Sequence, residues 1–306
     1  MKKISFIELA VKVLEEEKIP LTAFEIWGIA EKNGYDKLLG SQGLTPRDTL
    51  SAQVYTNAKK PNSAFIKIGI RPVKFFLKSL NQDFDIEIKL NEDQAKKDKS
   101  KKFNYSEKDL HPILAYFGRY YLNAYLKTID HTVSTKKAFG EWLHPDMVGC
   151  YFPFEDWSKE VYTFNSVVGN IPIKLYSFEI KRELTFSNIR ESFFQAVSNS
   201  SWANEGYLVA SEIAKEEDFL SELKRLSLSY GIGIIQLDII NPDSSEIIYP
   251  AKQKDFLDWE TINKIVALNS DFKNFITRIT KDIQVKDVRE EEFDKILGIE
   301  ELVLTK

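Results

Sequence analysis

Apolar residues recur at helical spacing near the amino terminus, where they predict two short helices. Residues 4–17 carry one such stripe. A second helix is predicted over residues 20–30, because Thr22 stands where an N-cap belongs and Glu25 follows at the capping-box position. Gly34 marks the end of this helix.

The next stretch predicts a third helix and a hairpin. Thr45 suits an N-cap and Pro46 the first helical position, because proline is tolerated in the first turn of a helix. Two short apolar segments, residues 64–69 and 72–77, predict a pair of strands. Three helices followed by a hairpin are typical of a winged helix-turn-helix domain, here assigned to residues 1–80.

A two-residue alternation surrounds a pair of charges at residues 174–181. Side chains alternate between the faces of a strand, so Glu179 and Lys181 project together. Asp146 stands earlier, in the run His-Pro-Asp. Two carboxylates with water suit a magnesium ion, and a neighbouring lysine can stabilise a developing phosphorane charge or orient the attacking water. This combination predicts phosphodiester hydrolysis.

The residues downstream predict an α/β domain around that strand. Residues 189–198 predict a helix that carries Gln195, and residues 206–211 and 231–240 predict two buried strands. Simpler interpretations exist, because a Glu-x-Lys pair is usually a solvated face and Pro-Asp is usually a turn. The order and spacing of the motifs favour the catalytic interpretation.

The pairing of Pro145-Asp146 with Glu179-Ile180-Lys181 resembles the PD-(D/E)XK nuclease superfamily. The resemblance implies an α/β restriction-endonuclease-like domain over residues 103–306 that uses Mg²⁺ or Mn²⁺. A glutamate from the preceding helix joins the metal shell in many of these nucleases, although a solvated helix-end acid is an equal alternative for Glu141. The resemblance assigns catalysis to Asp146, Glu179, Lys181, Gln195 and Glu141, and the metal to Asp146, Glu179 and the carbonyl of Ile180.

Particular residues near the amino terminus resemble the HARE helix-turn-helix, a family that links some restriction endonucleases with chromatin proteins. They are Ile26-Trp27, the run from Ser41 to Leu50, Tyr55 and the segment from Phe65 to Gly69. The resemblance implies recognition of double-stranded DNA. The expected groove contacts are Arg47, Ser51 and Gln53, and the expected phosphate contacts are Lys59, Lys60, Arg71 and Lys74.

The two domains together are similar to the HrgA-like proteins of bacterial restriction–modification loci. This similarity implies a DNA endonuclease in restriction or defence against foreign or modified DNA. A homodimer and a partner protein from such a locus remain open. Two alternatives also remain: a non-catalytic DNA reader or regulator, and a winged helix that binds protein instead of DNA.

The charge distribution agrees with DNA recognition by the first domain. Residues 1–80 hold 13 Lys and Arg against 8 Asp and Glu, whereas residues 103–306 hold 23 against 32. The basic excess therefore lies where a phosphate-binding surface is expected. Residues 81–102 are balanced, end in a polar lysine-rich run, and predict a linker.

Other protein classes are disfavoured by the sequence. Cys150 is the only cysteine, which excludes an intrachain disulfide, and three histidines are too few for the usual zinc site. The longest apolar runs are shorter than the roughly 18 residues of a membrane span, and a signal-peptide core is not evident. We therefore expect a cytoplasmic protein. A phosphate-binding glycine loop is also missing from the sequence.

Overall fold

The computed structural model describes residues 3–40, 46–68, 73–83, 105–130, 144–168 and 173–302, which divide into two compact units. The first unit contains the described part of residues 1–104 together with residues 298–302. The second unit contains residues 105–297. The predicted second domain was to include residues 298–302, which instead belong to the first unit. Residues 84–102 of the predicted linker lie outside the described residues.

The first unit has the three helices and the hairpin that the sequence predicts. Ser5 and Thr22 both form capping boxes, in which the hydroxyl accepts from the third helical N–H and a glutamate accepts from the cap N–H. The three helices and the antiparallel hairpin enclose one apolar core. These elements are α1 (Phe6–Glu17), α2 (Ala23–Lys32), α3 (Pro46–Ala58), β1 (Phe65–Ile68) and β2 (Lys74–Leu77).

The second unit is an α/β fold built on a mixed six-stranded sheet. Its strands are β3 (Ala124–Thr128), β4 (Met147–Tyr151), β5 (Lys174–Leu184), β6 (Glu205–Ile213), β7 (Gly233–Gln236) and β8 (Glu246–Tyr249). Its helices are α4 (His111–Tyr121), α5 (Lys159–Val167), α6 (Ile189–Asn199), α7 (Glu217–Tyr230), α8 (Trp259–Leu268) and α9 (Ser270–Val285). The chain then reaches α10 (Ile299–Leu302), in the first unit.

The strand order in the sheet follows the chain from β3 to β8. β3, β4 and β5 pair antiparallel, β5, β6 and β7 pair parallel, and β8 is antiparallel to β7. The parallel crossovers are made by α6 and α7, as expected for βαβ units. β5 is therefore an interior strand, with an antiparallel neighbour on one side and a parallel neighbour on the other.

The two faces of the sheet are covered by different helices. Glu179 and Lys181 lie opposite Leu208 and Ala210 of β6, so all four side chains share one face. Leu208 and Ala210 pack in a core with residues of α6 and α7. On the other face α4 approaches β3 closely at Gly118, where a β-carbon would collide with Leu126. The acidic residue of β5 is thus placed beneath α6.

The carboxy-terminal part of the second unit completes the core. α8 and α9 contribute Ile262, Ile265, Phe272 and Phe275 to a cluster with residues of β3, β4 and β5. This confirms the prediction that the late segment forms helices that cover the sheet. Within the part of the chain that the structure describes, no helix has both the length and the apolar character to cross a membrane.

Candidate active site

Asp146 is held against β5 by its own backbone and side chain. Its N–H donates to the carbonyl of Phe178 at 3.1 Å, which continues the β4–β5 ladder by one residue. The N–H of Ile180 then donates to Oδ2 of Asp146 at 2.7 Å. The carboxylate therefore replaces the next ladder acceptor. Because two successive ladder positions on β5 are used, the aspartate is fixed in register with Glu179.

Glu179 is buried, with 5% of its surface exposed, and both of its carboxylate oxygens have donors. Lys181 Nζ donates to Oε1 at 2.7 Å, as an ion pair along one strand. Asn199 Nδ2 donates to Oε2 at 2.7 Å from the last turn of α6. A buried carboxylate is costly unless it is paired and hydrogen-bonded. These two donors meet that requirement from two different elements.

The ionisation of Glu179 and Lys181 is perturbed in the same direction. Burial raises the pKa of Glu179, and the nearby charge of Asp146 raises it further, whereas Lys181 and Asn199 oppose the shift. Burial by itself lowers the pKa of Lys181, but the charge and hydrogen bond of Glu179 outweigh it and the pKa is raised. Paired acids that repel one another beside a buried lysine are common at functional sites.

A cleft of about 1010 Å³ opens beside these residues. Asp146 and Glu179 lie at its floor, and α6 with a residue shortly before it forms one wall. His144 also lines the cleft and is itself 4% exposed. The wall residues are Ser187, Arg190, Glu191, Phe194, Gln195, Ser198 and Asn199. Their spacing follows one face of the helix, so the same helix that shields β5 presents polar groups to the cleft.

The other predicted catalytic residues have different outcomes. Gln195 is half-buried and lines the cleft, as the sequence predicts for a residue near the site. The N–H and C=O of one strand residue point to the same edge, so the carbonyl of Ile180 faces the edge at which Asp146 lies. Glu141 lies outside the described residues.

Two residues near the site were not predicted from the sequence. Asn199 is 6% exposed and donates to Glu179, and its signal is only that it follows Gln195 by one helical turn. Glu107 comes from a short 3₁₀ helix, Glu107–Leu110, and its Oε1 accepts from the N–H of Arg182 at 3.4 Å. The Glu107 charge contributes to the raised pKa of Lys181. Neither contact has a local sequence signature.

The donor set suits a hard cation, although it is small. Among the residues that the structure describes, no group of three or more His, Cys, Asp and Glu side chains is placed to hold a metal ion. Two carboxylates and one carbonyl remain, and magnesium is commonly bound by one or two carboxylates with water and substrate oxygens. Mutual repulsion between Asp146 and Glu179 would be relieved by a cation between them.

The predicted DNA contacts of the first unit are mostly at its surface. Gln53, Lys59 and Lys60 are exposed, and Lys74 is half-buried. Arg47 is half-buried, with its guanidinium carbon 5.3 Å from the ring centre of Phe24. Arg71 lies outside the described residues.

The prediction for Ser51 is wrong. This residue is only 4% exposed, so its side chain cannot be a groove contact in this conformation. It lies one residue after Leu50 and one helical turn before Tyr55, which are both buried. Since α3 contacts α1, α2 and β1, most of its circumference faces the core, including the arc that contains Ser51.

Comparison with protein families identifies the first unit. Residues 4–76 match the family model HARE-HTH, whose description names the HTH domain of ASXL and restriction endonuclease proteins. The match covers under a quarter of the chain. These residues are therefore a HARE-HTH domain, which implies DNA binding. Comparisons with curated proteins and with solved structures gave no significant match.

Proposed function

We propose that this protein is a metal-dependent DNA endonuclease whose HARE-HTH domain recognises DNA and whose second unit hydrolyses the phosphodiester bond. The observation that carries the proposal is the convergence of Asp146, Glu179 and Lys181 at the floor of one cleft. An ion pair that served stability alone would not need a second carboxylate beside it, because two like charges oppose burial.

The residues that would hold Mg²⁺ or Mn²⁺ are Asp146, Glu179 and the carbonyl of Ile180. A bound divalent ion supplies Lewis-acid polarisation of a phosphoryl oxygen and a more acidic water. Asp146 Oδ2 is kept in position by the N–H of Ile180, and Glu179 Oε2 by Asn199. The protein therefore holds its carboxylates in place before any substrate arrives, which is the preorganisation that catalysis requires.

Lys181 and Gln195 have separate roles in the proposal. Lys181 Nζ keeps its proton beside Glu179, so it acts as a cation that stabilises the charge developing on the phosphate rather than as a base. The amide of Gln195, on the cleft-facing side of α6, positions the water or a phosphate oxygen. Proton removal from the water then falls to solvent or to a substrate phosphate.

The wider role in the proposal is restriction or defence against foreign or modified DNA. It is supported by the resemblance of Asp146, Glu179 and Lys181 to the PD-(D/E)XK pattern and by the restriction endonucleases named in the HARE-HTH family description. A fused DNA-binding domain suits this role, because the second domain carries net negative charge by sequence and needs a separate element to bring it to DNA. A homodimer or a partner protein from the same locus would belong to that role.

The test is plasmid cleavage with and without Mg²⁺, on methylated and unmethylated DNA. Asp146→Ala and Lys181→Ala should each lose metal-dependent cleavage or nicking and remain folded. Lys174→Ala is the matched control, because Lys174 forms the corresponding ion pair with Glu205 at 2.9 Å on the same strand but away from Asp146. It should cleave normally.

Two outcomes would count against the proposal. Full activity in both site variants would remove the assignment of Asp146 and Lys181. DNA binding by the wild-type protein without cleavage under any metal condition would favour a non-catalytic DNA reader or regulator of a restriction–modification locus.

A further inference from the structure

The wall of the cleft carries an exposed aromatic side chain beside the acidic floor. Phe194 lines the cleft together with Asp146 and Glu179, and 41% of its surface is exposed. An exposed aromatic ring within a polar cleft is not needed for the core, which already contains the fully buried neighbour Phe193. The position of Phe194 therefore calls for an explanation in terms of what enters the cleft.

Phe194 is held by two other aromatic rings. Its centroid is 5.3 Å from that of Tyr230 at 81° and 6.1 Å from that of Phe193 at 87°, both edge-to-face geometries. Phe193 also contacts Tyr230 at 5.9 Å. Such pairs stabilise one another beyond their buried area. Phe193, packed in the core of α6 and α7, thus anchors a ring that remains available to solvent.

The charges on the same wall limit what electrostatics can contribute. Arg190 lies one helical turn before Phe194 and lines the cleft, where it can contact a phosphate. Glu191 lies beside it on the same wall and offsets that attraction. A ligand that used only phosphate contacts would gain little net attraction from this wall. A ligand with a flat apolar group as well as a phosphate would use both Arg190 and Phe194.

We propose that Phe194, supported by Tyr230, is a stacking platform for one unpaired nucleobase, so that the cleft favours DNA with an unpaired or extruded nucleotide over a fully paired duplex. This proposal rests on the proposed nuclease function, because it names the substrate class of the same cleft. Every nucleobase has an aromatic face, so the platform is tolerant of sequence. Sequence choice is then left to the first unit.

The experiment uses the full-length protein and two duplexes of one sequence. One duplex is fully paired, and the other has a single unpaired 2-aminopurine, whose fluorescence is quenched on stacking. Binding is measured without divalent metal, and cleavage is then measured with Mg²⁺. Wild-type protein should quench the unpaired base and bind this duplex more tightly, and Phe194→Ala should lower that affinity by about 10-fold and abolish the quenching.

Two further variants control for folding and for general loss of an exposed ring. Phe194→Leu keeps an apolar contact to Phe193 and Tyr230 but has no aromatic face, so it should behave as Phe194→Ala does. Phe256→Ala removes a ring that is 86% exposed and does not line the cleft, so it should behave as wild type.

The outcomes separate this proposal from the nuclease function. Loss of quenching specific to the Phe194 variants supports the platform even if no DNA is cleaved, in which case the nuclease proposal fails instead. The platform is overturned if the wild-type protein does not prefer the unpaired base, or if both Phe194 variants retain that preference while cleavage proceeds. A change in oligomeric state without any change in base preference also overturns it, and identifies Phe194 as a protein contact.

Discussion

Removing the amide of Asn199 should strand a buried charge, and the cost can be worked out from its contacts. Asn199→Ala deletes the 2.7 Å hydrogen bond to Glu179 Oε2, while both residues are more than nine-tenths buried. Hydrogen bonds to charged groups contribute about 1.5–3 kcal/mol, and the abandoned carboxylate oxygen loses its compensation. We therefore expect the free energy of unfolding of the second unit to fall by about 2 kcal/mol near neutral pH.

The sign of the pH dependence distinguishes this mechanism from simple loss of packing. The pKa of Glu179 is already raised by burial and by Asp146, and the Asn199 bond opposes that rise. The variant should therefore have a still higher pKa at Glu179. As pH falls through this raised range, above the ordinary value of about 4.3, protonation stabilises the folded variant more than the folded wild type. The cost of the substitution should shrink toward acidic pH.

The assay is urea unfolding in metal-free buffer at several pH values, followed by tryptophan fluorescence. Asn204→Ala is the matched control, because Asn204 is also buried but bonds neutral backbone groups of Leu175 and Lys254. Its cost should not depend on the protonation of Glu179. An Asn199→Ala cost below about 0.5 kcal/mol, or one with the same pH dependence as the control, would refute the reasoning.

Two predictions concern DNA binding by the first unit. Replacing Lys59 and Lys60 by alanine in the full-length protein should weaken duplex binding at every sequence and lower the slope of log affinity against log salt by about 1 per lysine that contacts phosphate, as measured by fluorescence anisotropy. An unchanged slope would place the phosphate contacts elsewhere. Deleting residues 1–80 together with 298–306 should weaken DNA binding and slow cleavage at physiological salt, with recovery at low salt or high protein concentration, because the remaining unit has lost its tether. Equal rates for full-length and shortened protein across a salt titration would show that the first unit is not the targeting element.

Local signals explain which parts of the fold could be predicted. The capping box at Thr22 and the proline at position 46 identify helix starts through interactions within four residues, and both helices form there. The alternation that puts Glu179 and Lys181 on one face is likewise local, and the predicted face is observed. These features need no knowledge of tertiary structure.

Contacts between distant segments explain what could not be predicted. Asn199 becomes a partner of Glu179 only because α6 returns across the sheet, so its side chain carries no signal of its own in the sequence. Ser51 failed for the related reason that packing on several sides of α3 decides its burial. The alignment of Asp146 with β5 depended on a resemblance to a known pattern, because nothing local brings these residues together.

The return of α10 to the first unit has a consequence for how the protein is made. Residues 298–302, with Leu302 only 2% exposed, are synthesised after every residue of the second unit. Domains tend to fold as units while the ribosome still extends the chain. Here the second unit can finish folding first, whereas the HARE-HTH unit gains its last element only when residue 302 has left the exit tunnel. A premature stop codon before position 298 would therefore damage the opposite end of the gene product, the part that was translated first.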